Sequence, residues 1–295
     1  MNKTMQFRLD RALSVGVMHP MVRWAKTRRG VRTPILMYHS ISPAIGTQHP
    51  YFETRTSPEV FSRQMQVLSD DGYRTVSLAD ALSREEQDAD QKQVVITFDD
   101  GYRDFYTHAF PALIKHAFTA TLFVVSTYPR EPRLSRSGAD YMTWNEIREV
   151  RAGGISIGSH SATHRHLSTL SELDLHSELA DSKDRIEDVL GERVVSFSYP
   201  FAFPEPDKLF VARLKSILQA CGYKNGVSTV IGTMIPGEQE PFFLPRLPVN
   251  SFDDSRLLRA KLEGGYDWLR TLQHFYKKNI KRTSTRNQFA SVGSN

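Results

Sequence analysis

Val94-Val95-Ile96-Thr97-Phe98-Asp99-Asp100-Gly101-Tyr102 reads as a buried strand that ends on two adjacent carboxylates. The run from Val94 to Phe98 is continuous, rich in β-branched residues and bounded by polar ones, the signature of a strand covered on both faces. Similar runs lie on either side: Ile35-Leu36-Met37-Tyr38, Thr121–Val125, Ile155–Ser159, Val194–Tyr199, Tyr223–Val230 and a short one within Pro241–Val249. Helical patterns separate them. One starts at Ser57-Pro58-Glu59, with Ser57 as N-cap, an apolar stripe of Phe61, Met65 and Leu68, and a stop at Gly72. Others cover 103–116, Thr143–Arg151 behind a capping box, Ser171–Leu190 ahead of Gly191, and Asp207–Ala220. Residues 43–56 are polar with Pro and Gly and read as a loop. Alternation of this kind predicts an α/β fold with mainly parallel strands and helices outside, and 295 residues suffice for one large barrel.

Chemistry-bearing residues recur at the strand ends. His39, Asp99 and Asp100, His160, and the Tyr199-Pro200-Phe201 turn each directly follow a strand. In a parallel barrel these positions converge on the carboxyl-terminal rim, where barrel active sites lie. His160-Ser161-Ala162-Thr163-His164 puts two imidazoles four residues apart, behind a Gly158-Ser159 pair that suits a tight turn, with Ser161 and Thr163 able to bond the loop backbone. Alone, Asp-Asp-Gly fits an ordinary turn and His-x-x-x-His fits an ordinary surface. On converging strand ends they make the inventory of a mononuclear metal hydrolase: two imidazoles and a carboxylate for one divalent ion, and a second carboxylate left as base. The donor set suits Zn²⁺, with Co, Ni, Fe and Mn compatible.

These motifs resemble the NodB-homology polysaccharide deacetylases, the family-four carbohydrate esterases. The resemblance covers roughly 33–250 and rests on Thr97–Tyr102, Ala120-Thr121-Leu122-Phe123 and Gly158–His164; Leu36-Met37-Tyr38-His39 resembles a subgroup acting on bacterial surface polysaccharides. It implies a distorted (β/α)7-type barrel, Asp99 as catalytic base, and Asp100, His160 and His164 as metal ligands. It also implies an N-acetylated glycan as substrate, occasionally an O-acetyl or formyl one. Tyr102, Tyr199, Pro200 and Phe201 are the residues implied for substrate binding, with the Phe201 N–H available to an oxyanion. Two departures stand out. Ser198 occupies the place where the family carries an Arg that orients the base, and Arg246 in Leu244-Pro245-Arg246-Leu247 is the candidate replacement. The family's late Leu-x-His motif is not evident, so His39 is the preferred proton donor, with His274 a weaker choice and His166 a neighbour only. Two other readings remain open: a deformylase or amidase on a small or lipid-linked substrate, and a catalytically weak glycan-binding barrel motivated by the absent Arg.

Composition is that of a globular protein, 40% hydrophobic and 24% charged, and the single Cys221 excludes an internal disulfide. Charge is concentrated at the ends. Residues 1–33 hold eight Lys/Arg against Asp10, and residues 270–295 hold six with no acid. The chain is +5 overall, so the +13 of the two ends leaves −8 for residues 34–269, which argues against nucleic acid as a partner. The expected division is a basic arm (1–33), the barrel (34–275) and a basic, disordered tail (276–295). In the arm, Phe7, Ala12, Val15, Val22 and Trp24 can share one helix, broken near Pro20, that rests on an anionic membrane surface. The short apolar run Ala12–Met18 ends in His-Pro, unlike a secretory signal, which sets the expectation of a cytoplasmic or peripheral inner-membrane bacterial protein.

Overall fold

The computed structural model describes residues 8–25, 32–43, 49–83, 91–129 and 140–278. Among the described residues, ten strands run in chain order: β1 (Ile35–Tyr38), β2 (Ser40–Ile41), β3 (Arg55–Thr56), β4 (Arg74–Thr75), β5 (Gln93–Phe98), β6 (Thr121–Val124), β7 (Ser156–Ser159), β8 (Ser196–Ser198), β9 (Asn225–Ile231) and β10 (Leu244–Pro248). Seven of them close on themselves in the order β1-β10-β9-β8-β7-β6-β5, with β5 pairing back to β1. Every pair in the ring is parallel, so all seven strands deliver their C-terminal ends to one rim. This is the distorted (β/α)7 barrel expected from the strand pattern. β4 pairs with the start of β5, outside the closed ring.

Helices α3 (Pro58–Asp70), α4 (Leu78–Leu82), α5 (Phe110–Lys115), α6 (Trp144–Ala152), α7 (Glu172–Leu190), α8 (Lys208–Ala220) and α9 (Ser255–Leu262) follow the strands. Their boundaries obey local chemistry. The Ser57 side chain accepts from the Val60 N–H, Thr143 and Glu146 form the reciprocal capping box, and Gly191 ends α7 in the left-handed conformation at φ 69°. The apolar faces of these helices bury Phe61, Met65, Leu113, Ile147, Leu179 and Leu214 against the barrel wall.

Three features differ from the sequence reading. The stretch read as a loop contributes β3, which pairs in parallel with β2; two-residue strands carry no periodicity to read. α9 sits in a segment to which no element was assigned. The N-terminal helix does not break at Pro20. It runs as α1 (Leu9–Leu13), a π turn (Ser14–Met18) and α2 (His19–Trp24). A proline needs no i−4 acceptor, and the widened turn before it relieves the clash with the preceding carbonyl.

That helix is docked on the barrel rather than free. Arg8 bonds Asp10 (3.1 Å) and Asp253 (3.3 Å), Arg11 bonds Asp254 (3.0 Å), and His19 meets Glu263 (3.1 Å). The Tyr266 hydroxyl donates to Asp10 and the Trp268 indole donates to Ser14. Phe7 and the tail from residue 279 lie outside the described residues.

Candidate active site

The chemistry-bearing residues meet at the rim. Asp99 and Asp100 follow β5, His160 follows β7, His39 follows β1, and Arg246 enters from within β10. Asp100 Oδ1 lies 3.3 Å from His160 Nε2 and 3.3 Å from His164 Nε2. The three donor atoms lie within 4.8 Å of one another, close enough to share one ion. The Nδ1 of His160 is tied to the Ser198 backbone carbonyl at 2.8 Å, which leaves Nε2 as the free donor. Two imidazoles and one carboxylate around a common point fit a divalent ion that keeps a position open for water.

Backbone strain is concentrated here. Among the described residues, five non-glycine residues have positive φ, and four belong to this site: Asp100 (73°), Ser161 (65°), His164 (58°) and Phe201 (60°). Such conformations persist only where the surroundings enforce them. The loop carrying His164 is pinned accordingly. The His164 N–H donates to Ser161 Oγ (3.0 Å), Thr163 bonds Glu178 of α7 through both its N–H and its hydroxyl, and Ala162 N–H donates to the Glu178 carbonyl. Gly158, read as turn-forming, lies inside β7 instead. A Cβ there would come within 2.5 Å of the Phe123 ring, so this glycine serves close packing.

Asp99 is 2% exposed and takes no part in the triad. Arg246, 1% exposed, grips it with two hydrogen bonds, Nη1 to Oδ1 at 2.9 Å and Nη2 to Oδ2 at 2.7 Å. Ser198 Oγ donates to Asp99 Oδ1 (3.0 Å) and accepts from Arg246 Nη2 (3.1 Å). The guanidinium is further fixed by the Ser228 carbonyl and Thr97 Oγ1. A serine thus fills the place of the family's usual Arg, and the guanidinium reaches the same carboxylate from a different strand.

Electrostatics follow from this geometry. Burial alone would push the Asp99 carboxyl up, but Arg246, with help from His160 and His39, brings it down to about 2. Burial likewise opposes charge on Asp100, yet contact with both imidazoles holds it well below the usual carboxylate range. Burial also disfavours a charged His160, but the Asp99 and Asp100 carboxylates outweigh it and raise the imidazole. For His39, burial wins over the two carboxylates and its pKa is lowered, with Nε2 3.9 Å from Asp99 Oδ2.

Aromatic rings flank the triad. Tyr102 stacks on Tyr141 with ring centroids 5.2 Å apart, and Tyr128 follows at 4.4 Å from Tyr141. On the other side Phe201, 42% exposed, stacks on His166 at 3.9 Å and leans on His164 at 4.4 Å. Tyr128 and Tyr141 were not anticipated. They carry no motif and reach the site through the antiparallel bridge between Tyr102 and Tyr141. Two residues read as groove walls need correction. Tyr199 is 3% exposed and packs edge-on against Phe203 and Phe210 in the core, and Pro200 is buried beside it, so only Phe201 of that turn presents a face. His274 meets Glu205 at 3.4 Å, in a helical stretch, and not the Asp99 cluster. Asp267 is structural: it binds Arg32 and Thr233.

Comparison with known proteins gives the family. The sequence profile of the polysaccharide deacetylases matches residues 86–225. YxkH of Bacillus subtilis, assigned by name to the polysaccharide deacetylases, is 33% identical over 71% of this chain and 68% of its own length. The poly-β-1,6-N-acetyl-D-glucosamine N-deacetylase of Escherichia coli is 29% identical over 43% of this chain and 20% of its own length. The Streptococcus pyogenes deacetylase PplD, solved with acetate, superposes with a TM-score of 0.65 at 27% identity, covering 79% of this chain and 99% of that one. The chain belongs to the NodB-type polysaccharide deacetylases, hydrolases of carbon–nitrogen bonds.

Proposed function

We propose that the protein removes N-acetyl groups from an amino-sugar polysaccharide of the bacterial surface, or from its precursor, with Asp99 as base and a divalent ion held by Asp100, His160 and His164. The observation that carries this reading is the Arg246-clamped Asp99 beside the Asp100–His160–His164 cluster. Bound there, Zn²⁺ or a similar ion supplies a Lewis acid that acidifies water and polarises the acyl carbonyl.

The chain's own residues divide the remaining work. Asp99 accepts one proton from the attacking water. Held at about 2, its carboxylate is ionised throughout the neutral range, and its low basicity restricts it to an acidified donor. Arg246 and Ser198 fix the orientation of that carboxylate, with Oδ2 nearest His39. His39, neutral at rest through burial and 3.9 Å from Asp99 Oδ2, is placed to take up the proton that Asp99 has accepted. As the imidazolium so formed, it passes that proton to the departing amine nitrogen, which returns His39 to its neutral form and Asp99 to its carboxylate. The Phe201 N–H is the candidate donor to the developing oxyanion. Phe201 on one side and Tyr102 with Tyr141 on the other offer apolar faces to a pyranose ring. The name of the Escherichia coli relative supports a β-1,6-linked N-acetylglucosamine polymer as the first substrate to try. Arg246 also fills the gap that motivated a catalytically weak binding barrel.

The test is acetate release from N-acetylglucosamine oligomers by purified protein, with Zn²⁺ or Co²⁺ added and after chelation. Activity that needs the ion and falls about 10²–10⁴-fold in Asp99→Asn is expected. Undiminished activity in that variant overturns the assigned base.

A further inference from the structure

The N-terminal helix is turned inside out. Over residues 9–24, Asp10, Arg11 and His19 are bound to barrel residues and Ser14 and Val22 are buried. The exposed positions are Leu9, Ala12, Leu13, Gly16, Val17, Pro20, Met21, Arg23 and Trp24. One of these nine, Arg23, is charged, and the stripe ends on Trp24, which is 89% exposed. Docked surface helices normally do the reverse, with apolar residues inward and charges in water.

We infer that this outward face seats the protein on an anionic lipid bilayer, the apolar stripe entering the headgroup–acyl boundary and the flanking cations meeting lipid phosphates. The charge pattern supports a lipid partner. Arg23 is exposed beside the stripe, Lys26, Arg28 and Arg29 follow it in the sequence and Lys3 precedes it, while Asp10 is bound by Arg8 and Tyr266. A Trp at the edge of an apolar stripe next to cations is the arrangement of interfacial helices. The exposed set presents no side-chain hydrogen-bonding group other than Arg23 and the Trp24 indole to specify a protein partner. No helix among the described residues is long and apolar enough to cross a membrane, so the contact is peripheral.

Flotation of the full chain with phosphatidylcholine vesicles, with and without phosphatidylglycerol, tests this. The chain is expected to float with the anionic vesicles, with a blue shift of Trp24 emission that is lost in Trp24→Phe. The pair Leu13→Asp and Val17→Asp should weaken partitioning about 100-fold, and Arg23→Glu about tenfold on anionic vesicles only, both with an unchanged melting temperature. Wild-type protein that stays with neither vesicle at low salt overturns the inference. So does equal flotation of the Asp variants, or a wild-type dimer in light scattering that the same substitutions dissociate, which would assign the face to a second copy.

Discussion

Asp99 and Asp253 are both buried carboxylates held by a buried cation, yet their surroundings differ in kind. Asp253 accepts from Lys261 Nζ at 2.7 Å, Arg8 at 3.3 Å and the Asn250 N–H at 3.2 Å, and Lys261 also donates to the Pro248 carbonyl. All of these partners are structural: the cluster ties β10, α9 and the N-terminal helix together. Asp99 has an equally tight cation in Arg246, but His39 stands 3.9 Å away and the next residue is a member of the His160–His164 cluster. Burial and pairing alone therefore do not mark a catalytic carboxylate. What distinguishes Asp99 is an imidazole within reach and its place beside the Asp100–His160–His164 cluster, which aromatic rings flank.

Exchanging the two charges gives the sharpest test. Asp99→Asn should cost about 10²–10⁴-fold in kcat, whereas Asp253→Asn should leave kcat within about threefold while lowering unfolding free energy by about 3–5 kcal/mol, because it strands Lys261 uncompensated in the interior. Steady-state kinetics and urea unfolding of both variants measure this; a large kcat loss in Asp253→Asn would erase the distinction. Arg246→Met comes next. Without the guanidinium the Asp99 carboxyl rises from about 2 toward its ordinary value or above, so the acidic limb of the pH–rate profile should move to higher pH and kcat should fall on the order of 10²-fold, with partial recovery in Arg246→Lys.

Zinc should separate the two regions by stability. At a hundredfold excess over its dissociation constant it adds about 2.7 kcal/mol to the wild type, and His164→Ala should abolish that gain while Asp253→Asn keeps it, as read by thermal shift with and without chelator. The smallest effect is in acid. The folded pKa of Asp99 lies below its unfolded value of about 3.9, so its contribution of ~2 kcal/mol is complete above that value and is lost as pH falls toward 2. Denaturation midpoints measured in metal-free protein between those limits should fall less steeply in Asp99→Asn.

The comparison also shows what a sequence can reveal. Asp99, Asp100, His160 and His164 were legible because short buried strands end on them, and parallel topology converts strand ends into neighbours. Arg246 was legible only by subtraction: Ser198 left a clamp missing, and the last strand carried an unexplained Arg. Tyr199 misled because a strand-end tyrosine looks the same whether its ring faces the cleft or Phe203. Tyr128 and Tyr141 depend on a bridge to Tyr102 across a long connection, and nothing local encodes it. The N-terminal helix was foreseen as amphipathic, but which face turns inward is set by Asp253, Asp254 and Glu263, more than 200 residues away.

The left-handed backbone at Asp100, Ser161, His164 and Phe201 has an evolutionary corollary. Each position would relax if replaced by glycine, so the ligand loop is a place where the fold gives up stability to hold a shape. Laboratory selection for heat resistance alone would be drawn to glycine at Ser161, the one of the four that belongs neither to the Asp100–His160–His164 cluster nor to the aromatic rings beside it. The hydroxyl that holds the His164 backbone would be lost with it. Thermostabilised descendants of this chain should therefore be screened for turnover at that position before any other.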